Sequence, residues 1–243
     1  MSRFLFGSIL IGFLGIFPAQ AQEVDSLGKY EPLGLHLGVS LNNALRTVLR
    51  TSDTNYGFQA GAVLGRYLAA VEYGWAELSR TSVSDAVNIA DNPFEYTSQG
   101  SFFRIGPDVN LLINQKRSNF RADGDIIFFG LRFARAQLSD ALNFETQDAV
   151  TDPNGNNSAF WPAQEIAIQN NNKVATWFEM TAGMKVQLYR NIFLGYNLRF
   201  KFARNLLNDP ALIPYEIPGY GFGSQDEQFR FDYYLFYRIP FKK

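Results

Sequence analysis

Apolar and polar residues alternate along most of this chain with a period of two. The clearest stretch is 174–188. Val174, Thr176, Phe178, Met180, Ala182, Met184, Val186 and Leu188 fall on one side, and Ala175, Trp177, Glu179, Thr181, Gly183, Lys185 and Gln187 on the other. Successive side chains of a strand point to opposite faces, so this pattern predicts a strand with one apolar and one mostly polar face. The next segment repeats it. Ile192, Leu194, Tyr196, Leu198, Phe200 and Phe202 oppose Gly195, Asn197, Arg199 and Lys201, with Phe193 as an exception. The last segment sets Phe229, Phe231, Tyr233, Leu235, Tyr237, Ile239 and Phe241 against Gln228, Arg230, Asp232, Tyr234, Phe236 and Arg238.

Five earlier segments follow the same rule less cleanly. They are centred on Leu33–Leu41, Phe58–Leu64, Tyr67–Trp75, Phe103–Val109 and Ile127–Phe133. Together the eight segments predict eight strands. Their connections differ in length. Gly65-Arg66 and Tyr189-Arg190-Asn191 are tight, and Leu112 to Gly124 is longer and basic, with Lys116, Arg117 and Arg121. Four others, roughly 42–55, 77–98, 138–173 and 204–227, are long and rich in turn residues. Short turns on one side and long loops on the other is the plan of an outer-membrane barrel.

Alternation does not say which face is outside, since a soluble barrel has the opposite sense. Three features favour an apolar exterior. The apolar faces of the last three strands are heavily aromatic, as interfacial girdles are. The polar faces carry Glu72, Arg104, Asp108, Arg132, Glu179, Lys185, Arg199, Lys201, Arg230, Asp232 and Arg238, of mixed sign. The chain ends on an alternating aromatic strand, Tyr237-Arg238-Ile239-Pro240-Phe241, much as outer-membrane proteins do. Eight strands enclose a space that side chains can fill. Buried charges there must be paired, so the expected lumen is plugged rather than open.

The N-terminus adds location. Arg3, the apolar or small-residue run Phe4 to Phe17, Pro18 and Ala19-Gln20-Ala21 read as a secretory signal peptide. The run is too short to span a bilayer as a helix. Residues 1–21 are therefore expected to be removed, leaving 22–243 as one barrel domain. Composition narrows the chemistry. The 243 residues include 22 basic and 23 acidic side chains, no Cys and one His. That balance gives no basic stripe for nucleic acid, and it excludes disulfides, thiol chemistry and a His-rich metal site.

Candidate chemistry is sparse. His36 falls on the lumen face of the first strand, but no nucleophile motif accompanies it, so a structural role is expected. The acids Glu72, Asp108, Glu179 and Asp232 are expected to pair with Arg104, Arg132, Lys185, Arg199 and Arg230 rather than to form a catalytic dyad. The loop acids Asp140, Glu145, Asp148 and Asp152 lack calcium-loop spacing. Two loop segments are unusually apolar, Ala159-Phe160-Trp161-Pro162 and Pro214 to Gly221. Exposed aromatics mark contact sites, which makes Phe160, Trp161, Tyr215 and Tyr220 candidate contact residues. The other reading is that these loops fold back over the barrel mouth.

Several motifs occur in order: Arg104-Ile105-Gly106-Pro107-Asp108-Val109-Asn110-Leu111-Leu112, Gly130-Leu131-Arg132-Phe133, Gly183-Met184-Lys185, Leu194 to Lys201, Pro214 to Gly221 and Tyr237 to Phe241. In these the chain resembles an uncharacterised family of outer-membrane barrels from Bacteroidota, a domain of unknown function. More loosely it is similar to the small OmpA/OmpX type of barrel. The resemblance implies a barrel and a location, and no activity.

The expectation is an all-β, eight-stranded antiparallel up-and-down transmembrane barrel in the outer membrane of a Gram-negative cell. It is expected to be non-enzymatic and without cofactors, with outer-membrane lipid around it. Its long extracellular loops are expected to contact an outer-membrane or cell-surface protein, such as a subunit of an assembly or secretion complex. A narrow ion or small-solute channel is the alternative, and a lipid-active barrel enzyme is the third option.

Overall fold

The computed structural model describes residues 32–49, 53–82, 94–112, 124–146, 149–151, 157–159, 164–204, 206–207 and 210–241. The expected signal peptide, the basic residues Lys116, Arg117 and Arg121, and the contact candidates Phe160 and Trp161 lie outside them.

Eight strands form one closed ring. They are β1 (Pro32–Ser40), β2 (Asp53–Leu64), β3 (Tyr67–Ser82), β4 (Phe94–Asn110), β5 (Ile126–Thr146), β6 (Gln164–Tyr189), β7 (Ile192–Phe202) and β8 (Glu227–Pro240). Each pairs antiparallel with its sequence neighbour, and β8 closes on β1 through Ser40↔Tyr234 to Gly34↔Pro240. Closure leaves no free edge along this belt. No described helix is long and apolar enough to cross a membrane.

The faces follow the alternation. Phe58, Tyr73, Phe103, Phe129, Leu131, Phe178, Phe231 and Tyr237 point outward and are exposed, while Glu72, Arg104, Arg132, Glu179, Arg199 and Asp232 point inward and are buried. Phe193, apolar on an otherwise polar face, keeps to the same parity. It points into the lumen and packs with Tyr234 and Phe236 near the end that carries the tight turns. There Val63, Leu68, Ile126 and Phe128 form a second apolar layer. The turn-side end of the lumen is therefore mainly apolar, and most of the charges occupy its middle.

Two expected loops are shorter than the alternation implies. Strand β3 runs on to Ser82 and β4 begins at Phe94, while β5 reaches Thr146 and β6 starts at Gln164. These polar stretches lack the apolar alternation that marks a strand in the sequence. They pair nevertheless, so the sheet extends beyond the belt. Among described residues, β6 from Gln164 to Trp177 has no strand partner on its β7 side, since β7 stops at the pair Phe178↔Phe202. Residues 149–151 and 157–159 form a small separate ribbon.

The loop expected at 42–55 holds a helix, α1 (Leu41–Leu49), before β2 begins. Ser40 caps it, its Oγ accepting from the Asn43 backbone N–H at 3.3 Å.

Candidate functional site

The site is the inside of the barrel. At its centre stands Arg199 on β7. Its Nε donates to Asp232 of β8 at 2.7 Å, one Nη to Glu179 of β6 at 3.0 Å, and the other to Glu72 of β3 at 2.6 Å. One guanidinium thus ties three other strands together. Arg104 of β4 shares two of these acids, lying 2.8 Å from Glu72 and 2.9 Å from Glu179. Trp177 donates to Glu179 at 2.7 Å, and the Tyr234 hydroxyl reaches Glu72 at 3.2 Å. Arg132 pairs with Asp108 at 2.7 Å. Fully buried ions each cost on the order of several kcal/mol in lost hydration, so planar, multiply bonded pairs of this kind are needed for them to persist.

Among the described residues two lumen lysines form no ion pair: Lys185, which was expected to, and Lys201. The Lys201 Nζ donates to the backbone carbonyls of Gly219 at 2.6 Å and Tyr220 at 2.7 Å. Arg104 also donates to the Gly219 carbonyl. Lys185 has no hydrogen-bond partner among the described residues, and its ammonium lies over the Phe236 ring at 4.3 Å. Ring-face attraction replaces the ion pair there. Arg230 and Arg238 lie nearer the two ends. Arg230 reaches Asp232 at 3.2 Å, and Arg238 stands over the Phe193 ring at 5.3 Å.

Those Lys201 bonds reveal where the last loop goes. The β7–β8 connection turns into the lumen. Ile217 and Tyr220 are wholly buried against Phe102, Ala134, Ala136, Ala175 and Trp177, with the Tyr220 and Trp177 rings 5.2 Å apart, edge to face. Tyr220 is therefore a plug residue and not an exposed contact, because its ring fills space left by three inward alanines. Tyr215 stays half exposed. A two-residue ribbon, Glu216–Ile217 with Gly221–Phe222, stiffens the segment.

The plug is bolted at its upper side as well. Arg46 of α1 donates both Nη groups to Glu216, each at 2.6 Å, and its Nε to Asp53 at 2.9 Å. Arg80 also pairs with Asp53. Burial alone would raise the Glu216 carboxyl, but the forked bond from Arg46 overrides it and holds the group below its ordinary value of 4.5. Asn170 on β6 donates to the Leu212 carbonyl at 2.7 Å and accepts from Ala211 at 2.9 Å. The Tyr96 hydroxyl donates to Asp140 at 3.2 Å and accepts from the Tyr215 N–H at 3.1 Å. Asp140, read as a loop acid, is thus a buried strand residue. One small cavity of ≈ 30 Å³ lies between plug and wall, lined among others by Asn43, Arg104, Gly219 and Tyr234.

Sequence reading missed Arg46, Glu216, Tyr96 and Asn170 as partners. The available signal was Ala134, Ala136 and Ala175, three small residues on a lumen face where something larger must enter. His36 is buried, its ring 5.1 Å from Phe193 and 6.3 Å from Phe236, and its Nδ1 has no partner among the described residues. No described group of three His, Cys, Asp or Glu side chains is placed to hold a metal.

Closure, an apolar exterior and a charged, loop-filled interior define the class: small eight-stranded barrels with a blocked lumen. Within it the chain belongs to the family described as a domain of unknown function (DUF6048), whose model matches residues 1–243. No curated protein matches it. Among solved structures it is similar to Acinetobacter baumannii CarO2, at 12% identity over 87% of this chain and 100% of that one, with a TM-score of 0.43. It is also similar to Neisserial surface protein A, at 8% identity over 86% and 96%, with a TM-score of 0.32. Superpositions this loose add nothing to the barrel already described.

Proposed function

We propose that this protein is a non-enzymatic outer-membrane barrel with a closed lumen, acting through its extracellular face as a structural or interaction protein. The observation that carries this reading is the plug, with the Gly219 and Tyr220 carbonyls held inside the barrel by Lys201. A passage would need this loop to leave and the Arg199 cluster to part. The outer-membrane assignment draws on the band of outward aromatics and on closure, since only helices and closed barrels satisfy their backbone in lipid. The tight turns, the start of β1 and the end of β8 then lie on the periplasmic side, and the plug and the polar extension of β3 to β6 lie towards the outside. The partner class is another outer-membrane or cell-surface protein, including a subunit of an assembly or secretion complex.

Recording from the purified protein in a planar bilayer tests the closed lumen, with no steady conductance expected. Gentle detergent extraction with mass spectrometry tests the interaction role. A steady open conductance with no co-purifying protein would sink the proposal. The second reading, a narrow ion path, draws on Lys185 and Gln59, buried polar side chains whose Nζ and amide atoms have no partner among the described residues. The enzyme reading has little support, because His36 packs among phenylalanines rather than beside a nucleophile.

A further inference from the structure

Strand β1 stops at Ser40, but the strands on both sides of it run on. The last pairs it makes are Ser40↔Tyr234 with β8 and Val39↔Phe58 with β2. Beyond them β8 continues back to Glu227 and β2 back to Asp53, with no strand between. Helix α1 stands in that gap and bonds both of its sides. The Asn42 side chain donates to the Phe231 carbonyl of β8 at 2.8 Å and accepts from the Tyr233 N–H at 2.7 Å. The Thr47 hydroxyl accepts from the Asn55 N–H of β2 at 2.8 Å and lies 3.0 Å from the Asn55 carbonyl. A side-chain amide on one side and a hydroxyl on the other thus do the work of the missing ladder.

Helical geometry advances about 100° per residue, so these contacts fix the helix's rotation. Asn42 and Thr47 face the two strands. Asn43 and Arg46, between them, face the lumen, where Asn43 is buried and Arg46 holds the plug. Leu41, Ala44, Leu45 and Val48 turn away from the barrel. Leu45 is 58% exposed and Val48 76%. This is an apolar stripe of helical spacing aimed outward, the reverse of a helix packed on a soluble core.

We propose that α1 is a membrane-embedded segment of the barrel wall, its stripe of Leu41, Ala44, Leu45 and Val48 lying against the acyl chains of the outer leaflet just below the headgroups. The proposal rests on the outer-membrane reading above. Three observations support lipid as the occupant. The nine residues of β1 are at the bottom of the range that a tilted strand needs to span, about 9–11, so the top of the hydrocarbon on this side falls on α1. The stripe continues a lipid-type surface, with Tyr56 of β2 and Phe231 of β8 exposed on either side of it. A helix satisfies its own backbone, so it can close a wall in lipid where a ladder has run out.

The test uses the whole protein refolded into phosphatidylcholine vesicles, with single nitroxide labels on a chain that has no native Cys. Val48→Cys and Leu45→Cys probe the stripe. Val39→Cys, on the outward face of β1, reports whether the barrel itself is in lipid, and Tyr215→Cys reports water. The expected result is loss of collisions with a water-soluble nickel chelate at 45 and 48, as at 39, with oxygen collisions retained. Nickel access at 45 and 48 equal to that at 215, with 39 protected, overturns the wall proposal and leaves the barrel reading intact. Nickel access at 39 as well overturns both.

Discussion

Arg199 and Glu72 lie 127 positions apart in the chain and meet at 2.6 Å in the middle of the lumen. The same guanidinium bonds Glu179 and Asp232, so one side chain ties together acids from three strands. Removing it would leave those acids short of a shared partner. Arg199→Leu is expected to destabilise the barrel by about 3–5 kcal/mol, as breaking buried pairs does. The check is the urea midpoint in micelles. Arg199→Lys, a point charge without the fork, is expected to recover only part of the loss.

Lys201 holds the plug by two carbonyls and no acid. Lys201→Met keeps most of the stem and removes the donor. The plug is expected to loosen by about 1.5–3 kcal/mol, the range for hydrogen bonds to a charged group. Faster protease cleavage within the β7–β8 loop would report it, with intermittent conductance in a planar bilayer. Unchanged cleavage would mean that Lys201 is not the anchor.

Gly219 combines two constraints. Its φ is +76°, and a Cβ there would lie 2.4 Å from the Phe102 ring. Gly219→Ala is expected to cost the plug about 1–2 kcal/mol for the left-handed backbone, and the ring clash adds to this. Adding Phe102→Ala, which removes the Cγ and Cδ atoms that the new Cβ would meet, is expected to relieve the clash and leave the backbone cost, measured as the same protease protection.

Acid should release the plug's upper bolt. Glu216 is held below 4.5 despite its burial, chiefly by the fork from Arg46, with Arg230 adding attraction and Asp53 repulsion. A depressed carboxylate contributes fully above its unfolded value and loses that contribution as pH falls through its folded one. A fluorophore on Tyr215→Cys should therefore report release at a pH below 4.5. Glu216→Gln is expected to weaken the bolt at neutral pH and to remove this acid step.

Much of the wall was legible in advance. Phe178 outward and Glu179 inward follow from position alone, because a strand offers only two sides. The lumen charges followed from the same parity, Lys185 and Lys201 included. Their partners did not. Which acid Arg199 reaches depends on the register of four strands around a closed ring, and nothing local to residue 199 encodes it. The sheet extension and α1 were hidden for a different reason. Polar strand ends such as those at Ser82 and Gln164 carry no apolar alternation, and Leu41 to Leu49 is one short helix among period-two segments.

The sequence by itself determined the number of strands, the face each side chain takes and the charged character of the interior. These are local properties of a pleated chain. Only the tertiary structure decided that the lumen is closed from within by Ile217 and Tyr220, and that the wall beside Ser40 is a helix. Both depend on space left by distant residues, the three alanines of β5 and β6 in one case and the early end of β1 in the other. Filling such space is a cooperative outcome of closing the ring, so no single segment records it.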